Sequence, residues 1–305
     1  FEIEFNRAYS ALGILAPTYE PRATAAIPEM IEIIQRLIAN GYAYVADDGS
    51  ANVYFAAGKW ADYGELTNQR ITDMESADDS GDAADARGKR EPHDFALWKA
   101  HKKGEPESAS WQTPFGTGRP GWHIECSAMS TCHLGETFDI HGGGPDLPFP
   151  HHENEIAQSE GANGKPPAAV WAHNGLLNVD HVKMSKSLGN FFTIRDVLKR
   201  YDGETVRFFM LRTHYRSPFN FADSLLDEAR SALRRLYTAL DGAAPATFAA
   251  WGSPVKSANG TTADTLTVPI TQPGRYVLVS FVELGTNNNC TNNPYRGSIR
   301  ELTFG

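Results

Sequence analysis

Three cysteines in 305 residues, Cys126, Cys132 and Cys290, are too few, and odd in number, to build a disulfide framework. That leaves a metal-ligating or reactive role open for one of them. The chain also lacks any run of about 18 apolar residues, so no membrane span is expected, and its start lacks the basic and apolar blocks of a secretory signal. These absences point to the cytoplasm. Positive charge is not in excess: 28 Lys+Arg stand against 37 Asp+Glu, a net charge of −9. A protein that coats nucleic acid through bulk electrostatics is thereby excluded, although a local basic face is not. No initiator Met precedes Phe1, and FEIEFNRAYSALGIL reads as a periodic segment already in progress, hence as a truncated start. What remains is 41% hydrophobic and 21% charged residues, an ordinary globular composition with enough chain for two domains.

Along the chain, IPEMIEIIQRLIAN places Ile27, Met30, Ile31, Ile34, Leu37 and Ile38 at helical spacing, with Pro28 in the first turn and Gly41 just past the end. YAYVA and NVYFA flank Asp47-Asp48-Gly49 and predict a hairpin. Residues 72–92 are small and acidic with almost nothing apolar, and predict a mobile surface loop. Beyond Gly116, short apolar runs (TFDI, AAVWAHN, LLNV) alternate with helical patterns (IECSAMSTCHL, NEIAQSEGA, IRDVLKRY), the order that builds a parallel sheet covered by helices. ETVRFFMLRTH and SLLDEARSALRRLYTAL then predict two consecutive helices. From 242 to 305 the composition turns to Thr, Asn, Gly and Pro with β-type runs, marginal as an independent fold.

Three features could carry chemistry. In PHHENE, His151 and Glu155 stand four apart and would share one helix face, and with Cys126 they supply an imidazole, a carboxylate and a thiolate, all competent zinc donors. A His-xxx-Glu pair alone is more often a surface pair, and Cys126 reads equally as a small buried hydrophobe. VKMSKSLGN sets Lys183 and Lys186 three apart on a loop, where ammonium groups can close on a polyphosphate; the plainer reading is a solvated basic loop. HGGGPDLPFP puts glycines and Asp146 at the end of a strand, where backbone can approach a nucleotide and an acid can bond a ribose hydroxyl, or where a tight turn needs no ligand at all.

GRPGWHIECSAMS, FDIHGGGPDLPFPHHENEIAQSE, WAHNGLLNVDHVKMSKSLGNFFTIRDVL and ETVRFFMLRTHYRSPFNF, in this order and spacing, closely resemble the bacterial cysteinyl-tRNA synthetases, class I enzymes. The likeness covers about 1–241. It implies an α/β fold, a partial Rossmann-like catalytic domain, in four parts: 1–115 as the insertion between the nucleotide-binding halves (72–92 the loop), 116–202 as the second half, 203–241 as the start of a helical domain, and 242–305 as a β-rich segment of other origin. It implies that Cys126, His151 and Glu155 bind Zn2+, which holds the substrate cysteine's thiolate and so discriminates it from serine, with Trp122 beside that pocket. It further implies that Lys183 and Lys186 serve catalysis on ATP, taken with Mg2+, and that Gly144, Asp146, Trp171, His173, Gly175 and Lys186 surround the nucleotide. The expected reaction activates cysteine as its adenylate and transfers it to the cysteine tRNA.

The family's HIGH-type loop and its fourth zinc ligand, a cysteine from the same N-terminal part, do not occur in the 305 residues, and a sheet without its first strands would expose apolar surface. After the second helix the family continues helically toward an anticodon-reading domain, whereas here RYVLVSFVEL and SIRELTFG resemble, weakly, the closing strands of a discoidin-type jelly roll. Two alternatives stand beside a synthetase fragment. One is the related ligase joining cysteine to an aminosugar in mycothiol synthesis; the other is a non-catalytic relic carrying a β binding module.

Overall fold

The computed structural model describes residues 1–71, 88–179, 182–184 and 188–242. The expected loop over 72–92, apart from its last five residues, and all of the β-rich segment beyond Gly242 lie outside the described residues. Contacts divide the described chain into two units, one holding 17–176 and 215–218, the other 1–16, 177–214 and 219–242. Among the described residues no helix is long and apolar enough to cross a membrane.

The first unit is built on helix α2 (Ile27–Ala39): of the residues read from the sequence Ile27, Met30, Ile34 and Leu37 are buried and Ile31 and Ile38 half-buried, while Ile33, not among them, is 1% exposed. Strands β1 (Ala43–Val45), β2 (Val53–Phe55), β3 (Phe95–Ala100) and β4 (Gly118–Pro120) form an antiparallel sheet in that order. The 43–55 hairpin expected around Gly49 is its first pair, with Gly49 at φ +77°. Phe55 and Phe95 stack at 4.9 Å between ring centres and, with Trp98, close over α2.

Helix α3 (Trp122–Leu134) leaves β4 through Gly121, where a Cβ would strike the Ala96 carbonyl oxygen, so only glycine lets the helix start this close to β3. Ile124 and Ala128 face the same core as α2. Strands β5 (Phe138–Gly143) and β6 (Ala168–His173) pair in parallel, joined through helix α4 (Glu153–Asn163) as a right-sized crossover. Ile140 and Val170 are register partners on this pair and are 65% and 52% exposed. Parallel strands are normally covered on both faces, so this apolar pair marks the face of the sheet without cover among the described residues.

In the second unit, helix α1 (Glu2–Ala11) buries none of its residues; Leu12, just after it, enters the core instead. Strand β7 (Leu177–Val179) pairs antiparallel with β8 (Val182–Lys183) and parallel with β9 (Phe219–Phe221). The short helix α5 (Ile194–Val197) starts on a capping box from Thr193 and Asp196. Helices α6 (Gly203–Leu211) and α7 (Asp223–Gly242) pack through Val206, Phe209, Leu226 and Ala229. Strand β9 between these helices escaped the sequence reading because three residues, FNF, are too few to show an alternation.

Candidate metal and nucleotide site

Three pieces of the first unit deliver the polar side chains. The first turns of α3 carry Trp122, His123 and Cys126; the segment 148–152 carries His151 and His152; and α4 carries Glu155. His151 does not lie in the same regular helix as Glu155, as the four-residue spacing had predicted. Pro148 and Pro150 bracket Phe149 in extended conformation, and the chain passes through a wide π-type turn before α4 begins at Glu153. The two side chains still meet, with His151 Nε2 at 2.9 Å from Glu155 Oε1. Nor do His151 and Glu155 form a surface pair, since His151 is 4% exposed and Glu155 is buried, as is His152 at 1%.

One donor atom each from Cys126, His151 and Glu155 lies within 4.8 Å of the others. Cys126 is a free thiol, and burial, followed by the Glu155 and Glu125 carboxylates, pushes it up to about 12. Glu155 Oε1 is buried and receives no hydrogen bond of acceptable geometry. A half-buried thiol beside a buried carboxylate oxygen that accepts no hydrogen bond, with only the His151 Nε2 close to it, is a costly arrangement that a dication relieves, so the residues present fit Zn2+. His151 is held from behind: its Nδ1 lies 2.8 Å from His123 Nδ1, and the Trp122 ring stacks on it at 4.2 Å and 29°. Fixing Nδ1 leaves Nε2 as the metal-facing nitrogen.

A second group adjoins this one. His141 on β5 lies with Nε2 at 3.7 Å from Glu155 Oε2 and stacks on Trp171 at 4.6 Å and 23°. His152 Nδ1 lies 2.8 Å from His173 Nε2. Burial lowers the pKa values of His141 and His173, and burial together with His141, His173 and His151 brings His152 down to about 3, so these imidazoles are neutral near pH 7. In the turn after β5, Asp146 Oδ1 occupies the place that a Cβ on Gly144 would take. After β6, Gly175 donates its N–H to the Tyr215 carbonyl at 2.6 Å and is so close to the Ser217 carbonyl that a Cβ would collide.

Of the residues singled out in the sequence, Trp122, Cys126, His151 and Glu155 are thus brought together, and Trp171 and His173 stand next to them through His141 and His152. Gly144, Asp146 and Gly175 follow the carboxyl ends of the two parallel strands. Lys183 is on β8, opposite Asn178; Lys186 lies outside the described residues. The sequence reading missed His123, His141 and His152. His123 precedes Cys126 by three, one helical turn, and that spacing could have flagged it.

The family described as tRNA synthetases class I (C) catalytic domain matches residues 1–231. A cysteine–tRNA ligase of Delftia acidovorans is 58% identical over 245 residues, which cover 80% of this chain and 52% of the relative. One of Acidovorax sp. (strain JS42) is 59% identical over 236 residues, covering 77% and 50%. One of Clavibacter michiganensis is 60% identical over 243 residues, covering 80% and 49%. The chain spans about half the length of the curated relatives it matches. It belongs to the class I (C) tRNA synthetase catalytic-domain family.

Proposed function

We propose that this chain carries the amino-acid-selecting half of a cysteine–tRNA ligase, which activates cysteine with ATP and passes it to the cysteine tRNA. The observation that supports this most is the donor set of half-buried Cys126 with buried His151 and Glu155, gathered within 4.8 Å. When bound there, Zn2+ would supply a soft Lewis acid that prefers a thiolate to a hydroxyl, which separates cysteine from serine at the binding step. The chain's own residues do the rest. His123 fixes the His151 ring, Trp122 stacked on His151 is a wall of the amino acid pocket, and burial of Glu155 keeps water away from the donor set.

For the nucleotide, Gly144 and Gly175 let Asp146 and the 215–218 segment close in after the parallel strands, Asp146 is the acceptor for ribose hydroxyls, and Trp171 and His173 flank the base or ribose. Lys183 and Lys186 neutralise charge on the triphosphate, with Mg2+, as pyrophosphate leaves. The reading is tested by cysteine-dependent exchange of pyrophosphate into ATP. In a full-length version of the protein the expected result is exchange with cysteine, none with serine, and loss of most of the rate in Lys186→Ala. A Lys186→Ala rate within about threefold of the parent, under about 1 kcal/mol of barrier, overturns the phosphate role, and exchange that is indifferent to cysteine overturns the substrate.

A further inference from the structure

Glu155 faces two different histidines with its two oxygens. Oε1 is 2.9 Å from His151 Nε2, on the side of Cys126, and Oε2 is 3.7 Å from His141 Nε2, on the other side. One ring nitrogen each of His141 and His152, with a Glu155 oxygen, lies within 4.8 Å of the others. His152 and Glu155 are 1% and 2% exposed, and the His141 side chain 15%. The set is two imidazoles and a carboxylate, a combination that holds Zn2+ with a further coordination position open.

We propose that His141, His152 and Glu155 form a second divalent-metal site, with Glu155 bridging it to the Cys126 site. Carboxylates that present one oxygen to each of two metals are the usual bridge of paired sites. Ring contacts already set the orientation of both imidazoles: His141 stacks on Trp171, and His152 sits against His173 through Nδ1. The second site is the weaker one. It has no thiolate, its Glu155 oxygen is the more distant, and it shares a carboxylate whose charge the first metal partly neutralises. The proposal extends the zinc reading above through the shared Glu155, but its ligands on the far side are its own.

The test is a titration of the full 305-residue protein, stripped of metal, with Zn2+ and separately with Co2+. Two equivalents are expected to bind, the second at least about tenfold more weakly. The first Co2+ equivalent gives a thiolate-to-cobalt charge-transfer band and the second gives only ligand-field absorption, a readout needing no variant. His141→Asn is expected to remove the weak equivalent and keep the charge-transfer band, and Cys126→Ser to remove the band and keep one equivalent. Saturation at one equivalent, or two equivalents retained in His141→Asn, overturns the second site. One equivalent lost in His141→Asn but not in Cys126→Ser instead overturns the Cys126 site and leaves this one standing.

Discussion

The sheet β1–β4 with α2 and the first turn of α4 are both buried, yet they are held by opposite means. Around α2 the buried groups are Met30, Ile33, Ile34, Leu37, Phe55, Phe95 and Trp98, which gain from leaving water. Around the first turn of α4 the buried groups are His151, His152, Glu153, Asn154 and Glu155, which lose by it. Glu153 recovers that loss locally, its Oε1 accepting the Gly64 N–H at 2.8 Å, and Asn154 recovers part of it, its Oδ1 accepting the Tyr63 hydroxyl while its buried Nδ2 makes no hydrogen bond. Glu155 Oε1 accepts no hydrogen bond and has only the His151 Nε2 beside it, at 2.9 Å. One region therefore stabilises the fold and the other draws on that stability to keep a ligand set ready.

The largest way to break this contrast is in the apolar region. Phe55→Ala removes a fully buried ring stacked on Phe95 and is expected to cost about 3–5 kcal/mol in denaturant unfolding. A cost under about 1 kcal/mol would mean that the sheet does not carry the unit. Glu155→Gln should do the reverse. Zinc affinity is expected to fall by at least about 100-fold, roughly 2.7 kcal/mol, while the metal-free protein is as stable as the parent or slightly more so, because a buried acceptor with no donor is replaced by a neutral amide. Equilibrium dialysis and unfolding in chelator read the two effects separately, and a metal-free variant that unfolds far more easily would place Glu155 with the structural residues.

His123→Ala sharpens the same contrast one step further out. His123 touches His151 but belongs to neither donor set, so its loss is expected to weaken zinc by about 10-fold, near 1.4 kcal/mol, with the Co2+ charge-transfer band retained. Disappearance of that band would make His123 a ligand in its own right.

How far each region could be read from the sequence follows the same division. Helix α2 was legible because six apolar residues repeat at helical spacing, and the 43–55 hairpin because turn residues sit between two β-rich runs. Cys126, His151 and Glu155 were legible as donor types, but their meeting depends on an irregular turn at 148–152 that no periodicity encodes. His141 and His152 were passed over because a histidine beside glycines or another histidine has no spacing signature. Only the parallel pairing of β5 with β6 and the crossing of α4 show that both face Glu155.

The smallest expected effect lies in the other unit, where a polar group is satisfied by backbone and needs no ligand. Asp202 caps α6, accepting from the Thr205 N–H at 2.8 Å and its hydroxyl at 2.7 Å. Partial burial raises the pKa of this carboxyl, but the Thr205 bonds outweigh that and hold it below its usual value. A carboxylate with a folded pKa below its unfolded one contributes stability that is fully present above the unfolded value, about 3.9, and is lost as pH falls through the folded value. Asp202→Ala should therefore cost about 1 kcal/mol at pH 7, with the difference from the parent shrinking below pH 4. If Glu155 were satisfied in the same way, Glu155→Gln in the metal-free protein would show the same loss at pH 7. The expected divergence of these two carboxylates, one stabilising by itself and the other only through a cation, is the sharpest form of the comparison, and unfolding of both variants at pH 7 in chelator measures it.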